Sequence, residues 1–196
     1  VIAAIASLAR DCRGYAGRVT VVWVTGNSGT GKSTVCGELR ARGHIAFDGD
    51  EDGFCRWADR SNGEVVMDPP YPVPEGWLER YGWMIVRERV EALVEESRSR
   101  TAFLCGSAEN EEEVRELFDV TVCLVIDEDT LRHRLATRTT NAFGQHPEEL
   151  AAALEWNPRM RGIYEGLGAT VIDASKPVNE VVDSVIDAVQ ALRGHA

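Results

Sequence analysis

Apolar positions along the chain fall into two alternating patterns. Five short runs, four of them mostly apolar, stand out: "VTVVWVT" from Val19, "HIAFD" from His44, "AFLCG" from Ala102, "VTVCLVI" from Val120 and "ATVID" from Ala169. Runs of this kind predict strands covered on both faces of a parallel sheet. Between them, apolar residues recur at helical spacing. That spacing predicts helices over 32–42, 77–97, 110–118, 130–138, 147–164 (interrupted at Pro158) and 178–192. Asn110 followed by Glu113 has the spacing of a capping box, and Pro177 suits a helix start. Strands alternating with helices predict an α/β domain. The Pro-rich stretch "MDPPYPVPEGW" at 67–77 reads as a stiff loop between the second and third strands.

The length of 196 residues favours one domain, 19–196, preceded by a short helix or tail at 1–18. The apolar part of that segment is too short to span a bilayer and lacks the basic start of a signal peptide. Apolar residues at 44% and charged residues at 27% suit a soluble globular protein with its own core. The net charge of −11 argues against nucleic acid or an anionic membrane as the main partner. A small-molecule partner is expected, and a homodimer is compatible with it. Five scattered cysteines form no zinc framework and fit a reducing cytoplasm.

One motif changes the picture. "GNSGTGKS" fits G-x-x-x-x-G-K-[ST] and lies between a β-branched strand and a helix. Gly26, Gly29 and Gly31 free the backbone to turn its N–H groups around phosphate oxygens, and Asn27, Ser28 and Thr30 complete the loop. The helix beginning near Lys32 adds its positive end. Lys32 is expected on the β- and γ-phosphates, Ser33 on Mg²⁺ and Thr34 near the α-phosphate. ATP with Mg²⁺ is the expected cofactor, since no N-K-x-D guanine reader is present.

"FDGDEDGF" places Asp48, Asp50, Glu51 and Asp52 just past the second strand, where open α/β sheets bind ligands. Asp48 is the candidate for the outer shell of Mg²⁺. Asp50 is the candidate for gripping an acceptor hydroxyl, as base. A solvated turn capping the next helix would show the same composition. Further on, "LRHRLATRTTNAFGQHPEEL" carries Arg132, Arg134 and Arg138 into a short lid at about 138–147. Arg134 and Arg138, four apart, are expected on one helical face, able to close over transferring phosphate oxygens. Arg138 lying flat on adenine is the alternative.

With "GNSGTGKST", the "DGD", the "RLATR" helix and the final "VIDAS", the chain resembles the small P-loop kinases of the adenylate kinase and shikimate kinase group. It looks most like poorly characterised bacterial P-loop proteins labelled AAA-family ATPases. The resemblance runs from Val19 to the C-terminus. It implies a three-layer sandwich with a five-stranded parallel sheet of order 2-3-1-4-5. It also implies an ATP·Mg²⁺ donor and an acceptor pocket between strands two and three. Carried over, Lys32, Ser33, Asp48, Asp50, Arg134 and Arg138 take the catalytic and metal roles, and Asp173 and Ser175 border adenine. Two departures stand out. The third strand ends "FLCGSAEN", without a Walker B acid, and the Gly-Gly-Gly pocket of shikimate kinases is absent.

The acceptor side is expected over 53–90, where Trp57, Trp77, Trp83, Tyr71 and Tyr81 are interspersed with arginines. Trp83, Arg56, Arg60 and Arg87 are the candidate acceptor-binding residues with Asp50, for a planar or ring-bearing acceptor with or without an anionic group. Trp77, Tyr81 and Met84 also fit the core face of a helix. The expected activity is transfer of the γ-phosphoryl group of ATP to a hydroxyl of a nucleoside or other metabolite. A nucleoside monophosphate kinase and a nucleotide-dependent switch with little chemistry are the alternatives.

Overall fold

The computed structural model describes residues 21–70, 74–97, 100–139 and 143–193. The expected helix or tail at 1–18, residues 71–73 of the Pro-rich loop and residues 140–142 of the lid lie outside the described residues. In chain order the elements are β1 (Val21–Gly26), α1 (Lys32–Ala41), β2 (Ile45–Asp48), β3 (Cys55–Asp59), α2 (Trp77–Arg80) and β4 (Tyr81–Ile85). Then come α3 (Arg87–Glu96), β5 (Ala102–Cys105), two 3₁₀ turns (Glu111–Glu113 and Arg115–Leu117), β6 (Val120–Val125) and α4 (Glu128–Thr137). The chain continues through α5 (Pro147–Gly166), β7 (Thr170–Asp173) and α6 (Val178–Arg193).

The five strands announced by the apolar runs form one parallel sheet, β2-β5-β1-β6-β7. Counted among themselves, they stand in the order 2-3-1-4-5. The central strand β1 is buried along its whole length. Its Val22 and Val24 pack with Val35 and Leu39 of α1 and Val182 and Val185 of α6. Val21 and Trp23 face the other way, toward Val90 and Leu93 of α3 and Phe118. Helices thus cover both faces in a three-layer sandwich. Each fully buried Val or Leu contributes about 1.5–3 kcal/mol. Parallel register brings Asp48 beside Cys105, Gly26 beside Leu124 and Val125 beside Asp173. The loops after the strands therefore converge on one edge of the sheet.

Four local expectations are corrected. Residues 77–97 are not one helix. They divide into the single turn α2, strand β4 and helix α3, and β4 pairs antiparallel with β3. Cross-strand packing explains the choice: Trp83 opposes Trp57 with ring centroids 5.4 Å apart, and Trp77 stacks on Tyr81 at 4.1 Å. A Cβ at Gly82 would lie 2.6 Å from Met84 Cε and 2.9 Å from Glu109 Oε2, so the flexible ends of those two side chains occupy the space that glycine leaves. Residues 110–118 form 3₁₀ turns and no capping box, because Asn110 Oδ1 accepts the N–H of Ile85 instead (2.8 Å). Helix α5 runs through Pro158 without interruption. A mid-helix proline costs about 3 kcal/mol. Anchors just before it offset that cost: Asn157 donates to Ile126 O (2.9 Å), and Ala153 O accepts from Asn27 (2.6 Å). Helix α4 also starts two residues early, capped by Asp127, which accepts from Thr130 N at 2.8 Å.

No described helix is long and apolar enough to cross a membrane.

Candidate active site

The phosphate loop leaves β1 at Gly26. Its φ of 146° would strain any residue with a Cβ, which would lie 2.5 Å from Leu124 O and 2.9 Å from Thr30 Oγ1. The loop is fastened internally: Thr30 Oγ1 donates to Asn27 O (2.8 Å) and Ser28 N to Asn27 Oδ1 (2.8 Å). Gly31 caps α1 in the left-handed conformation. The Lys32 ammonium tucks under the loop, donating to Gly26 O (2.8 Å) and Asn27 O (2.9 Å). Burial pushes its pKa below the ordinary lysine range, partly offset by Asp50, Glu111 and Asp48. Ser33 and Thr34 lie exposed on the first turn of α1, whose N–H groups lack helical partners. A glycine cradle, an ammonium that among the described residues bonds only backbone carbonyls, and a free helix start suit a polyphosphate.

Asp48 ends β2 almost fully buried, and its Oδ1 accepts the N–H groups of Asp50 (3.0 Å) and Glu51 (3.2 Å). It shapes the turn that presents Asp50. Asp52 belongs elsewhere: it pairs with Arg40 at 2.5 Å and accepts from Asp48 N at 2.7 Å. Asp50 stands at the exposed mouth, its Oδ1 accepting from Trp83 Nε1 at 3.0 Å. Crowding by protein raises its pKa above the ordinary aspartate range, while Lys32 and the Trp83 hydrogen bond pull it down. The structure thus joins two candidate residues, Asp50 and Trp83, that the sequence separates by 33 positions. The floor beneath them is a close backbone approach: a Cβ on Gly49 would lie 3.2 Å from Gly106 Cα.

The acceptor-side arginines are placed differently from one another. Arg60 forms a fork with Glu109 (2.6–2.9 Å) and donates to Tyr81 O (2.6 Å), so it staples the hairpin. Arg87 binds Glu91 (2.8 Å) and Glu116 (2.7 Å), away from Asp50. Arg56 is exposed and alternates with Trp57, so it projects from the opposite face of β3. A cavity of about 400 Å³ opens at the lid side of this segment, lined by Glu75, Gly76, Leu78, Glu79 and Glu148.

The lid arginines also separate. Arg134, on α4, donates to Thr30 O (3.2 Å) and Ala174 O (2.9 Å), bracing the phosphate loop against the loop after β7. In that second loop Asp173 Oδ1 accepts from Ser175 N (3.0 Å) and Oγ (2.7 Å). Arg138 has left the helix as its C-cap, so the two arginines do not share a helical face. It donates to Ser28 Oγ (3.1 Å) and to Phe143 O, with Nε buried and unpartnered. Burial lowers its pKa, opposed by the nearby Glu149 and Asp50. Glu149 is buried and accepts from Gly144 N at 2.7 Å, fixing the lid's return.

Sequence reasoning missed Glu111. It follows β5 in "ENEEE", which reads as a solvated acidic run. In the fold it lies near Lys32, bonded to Thr25 and Tyr164. The one feature of the sequence that bears on it is the lack of an acid at the end of β5. Among the described residues no three His, Cys, Asp or Glu side chains form a metal cage. The Ser33 hydroxyl with nearby carboxylates instead suits magnesium, which keeps several waters and takes few protein ligands.

Fold and loop together define a P-loop protein built as the small P-loop kinases are. The chain belongs to the AAA domain family, whose model matches residues 22–154. Among solved structures it is similar to shikimate kinase from Acinetobacter baumannii in complex with shikimate, at 16% identity and TM-score 0.55, covering 89% of this chain and 95% of that one. A sugar kinase from Janibacter sp. is similar at 17% identity and TM-score 0.53, covering 89% and 98%. Shikimate kinase from Aquifex aeolicus follows at 18% and 0.52, covering 87% and 96%. At such identities the likeness is one of fold. No curated protein matches the sequence.

Proposed function

We propose that the protein transfers the γ-phosphoryl group of ATP to a hydroxyl of a small molecule. One observation carries this: a carboxylate, Asp50, held by Trp83 within electrostatic reach of the phosphate-loop lysine. The loop N–H groups and Lys32 hold the β- and γ-phosphates. Asp50 orients the acceptor hydroxyl and takes its proton as the oxygen bonds to phosphorus and the bond to the ADP oxygen breaks. Ser33 and, through water, Asp48 are the residues that would hold magnesium, which neutralises charge shared by the β- and γ-oxygens. Arg138, beside Ser28, spreads the charge of the transferring group, and lid closure excludes water.

The pairing of the arginines favours a hydroxyl acceptor over a nucleoside monophosphate. A phosphate-bearing acceptor asks for free guanidinium groups. Arg60 is held by Glu109, Arg80 by Asp59 and Arg87 by Glu91 and Glu116. A neutral acceptor is therefore expected, and the activity belongs with a cytoplasmic enzyme of small-molecule metabolism.

The test is ADP release from Mg·ATP across nucleosides, nucleoside monophosphates, sugars, amino sugars and aromatic alcohols, with Lys32→Ala as control. Stimulation by a hydroxyl acceptor, lost in the control, is the expected result. Tight ATP binding without stimulation by any compound would favour the switch.

A further inference from the structure

Three carboxylates act electrostatically on Lys32: Asp50, Glu111 and Asp48. Two of them have roles in the proposed transfer, and Glu111 has none. Its surroundings show that it is built into the site. Oε1 accepts from Thr25 Oγ1 at 2.8 Å, and Oε2 accepts from Tyr164 OH at 2.5 Å. Thr25 is fully buried and immediately precedes Gly26 of the phosphate loop. Tyr164 is also buried and comes from α5, 53 residues further along the chain. Burial raises the Tyr164 pKa well above the ordinary tyrosine range, which keeps its proton available for donation.

The Ala108 N–H also donates to Oε1 at 3.4 Å. All three donors are neutral, so none cancels the carboxylate's charge. Among the described residues no ion pair engages Glu111. Bringing a charge this close to the core is costly, and a structural spacer could be a neutral amide. The end of β5 itself carries no acid, and the position just after it is tight. A Cβ on Gly106 would lie 3.2 Å from Trp23 Cη2 and 3.3 Å from Gly49 Cα, so a side chain there would have to push its neighbours aside by a few tenths of an ångström. The 3₁₀ turn beginning at Glu111 folds back and delivers a carboxylate to the neighbouring end of β1.

We propose that Glu111 is a positioning residue for the magnesium-bound nucleotide: its carboxylate holds the metal's water shell in place of an acid that the end of β5 lacks. Thr25 and Tyr164 fix its orientation. This inference rests on the kinase reading above.

The test measures binding of a non-hydrolysable ATP analogue by the full chain, with and without Mg²⁺, for wild type, Glu111→Gln and Tyr164→Phe. Outer-shell substitutions lower metal affinity by about 10–100-fold. The expected result for Glu111→Gln is loss of the Mg²⁺-dependent gain in affinity by that factor, with metal-free binding and the thermal melt close to wild type. Tyr164→Phe should shift the same quantity in the same direction by a smaller factor, and it carries the test if Glu111→Gln does not fold. Unchanged Mg²⁺ dependence in the folded variant overturns the role. Should the wild type transfer phosphate while the variant binds Mg·nucleotide normally, only Glu111 loses its assignment. A wild type that binds no nucleotide overturns both readings.

Discussion

Asp50→Asn is expected to reduce turnover by about 10²–10⁴-fold, the range for losing a positioned general base. Affinity for ATP should stay near the wild-type value, because the phosphates are held by the loop, Lys32 and the start of α1. Turnover near wild type would remove Asp50 from the mechanism. The pH dependence gives a second check. Crowding raises the Asp50 pKa, so the fold favours its protonated form more than the open chain does. Its contribution to stability is therefore greatest at acid pH and is lost as pH rises through the raised value. Activity follows the opposite course, since a base must be unprotonated. The acid limb of kcat/KM should lie above the ordinary aspartate range and disappear in Asp50→Asn. Trp83→Phe removes a hydrogen bond that favours the carboxylate. It should therefore move that limb to higher pH while sparing ATP affinity. An unmoved limb in Trp83→Phe would assign it to another group.

The parts of the site that could be read from sequence are those made by neighbours in the chain. The phosphate loop is one: its glycines, lysine and serine act over eight positions, and Gly26 is required by a φ of 146° and by the closeness of Leu124 O. Asp48 and Asp50 were legible because a strand end fixes where the next residues lie. The hairpin was not. Trp77, Tyr81 and Met84 satisfy a helical period, while Tyr81, Trp83 and Ile85 satisfy a strand period. What decides between them is pairing with Cys55–Asp59, far away in sequence. Glu111 was hidden for the same reason. Its neighbours in the chain are acids, whereas its partners Thr25 and Tyr164 lie 86 and 53 positions away. Arg134 and Arg138 show the limit of helical spacing as an argument, because the helix ends at Thr137, between them and what they were expected to share.

That separation leads to an expected contrast. Arg138→Ala should lower kcat by about 10³-fold, the lower end of what a charge-stabilising arginine supplies in phosphoryl transfer. Arg138→Lys should recover little, because a point charge cannot reproduce a planar fork. Arg138 is suited to this role by its place: its NH2 bridges Ser28 Oγ and Phe143 O, so it ties the lid to the phosphate loop. Its Nε, buried and unpartnered, has a donor to offer a phosphate oxygen or the bound base. Arg134→Ala should behave differently. Arg134 already spends two donors on backbone carbonyls, Thr30 O and Ala174 O. Charge-assisted hydrogen bonds of this kind contribute about 1.5–3 kcal/mol. Its loss should lower the melting temperature and weaken ATP binding by loosening the phosphate loop from the loop after β7, while kcat at saturating ATP falls much less. Thermal melts, ATP titration and steady-state kinetics on the two variants separate the roles. Equal losses of kcat, with the melt of Arg134→Ala unchanged, would place Arg134 beside the transferring phosphate instead, with its carbonyl contacts given up once nucleotide is bound.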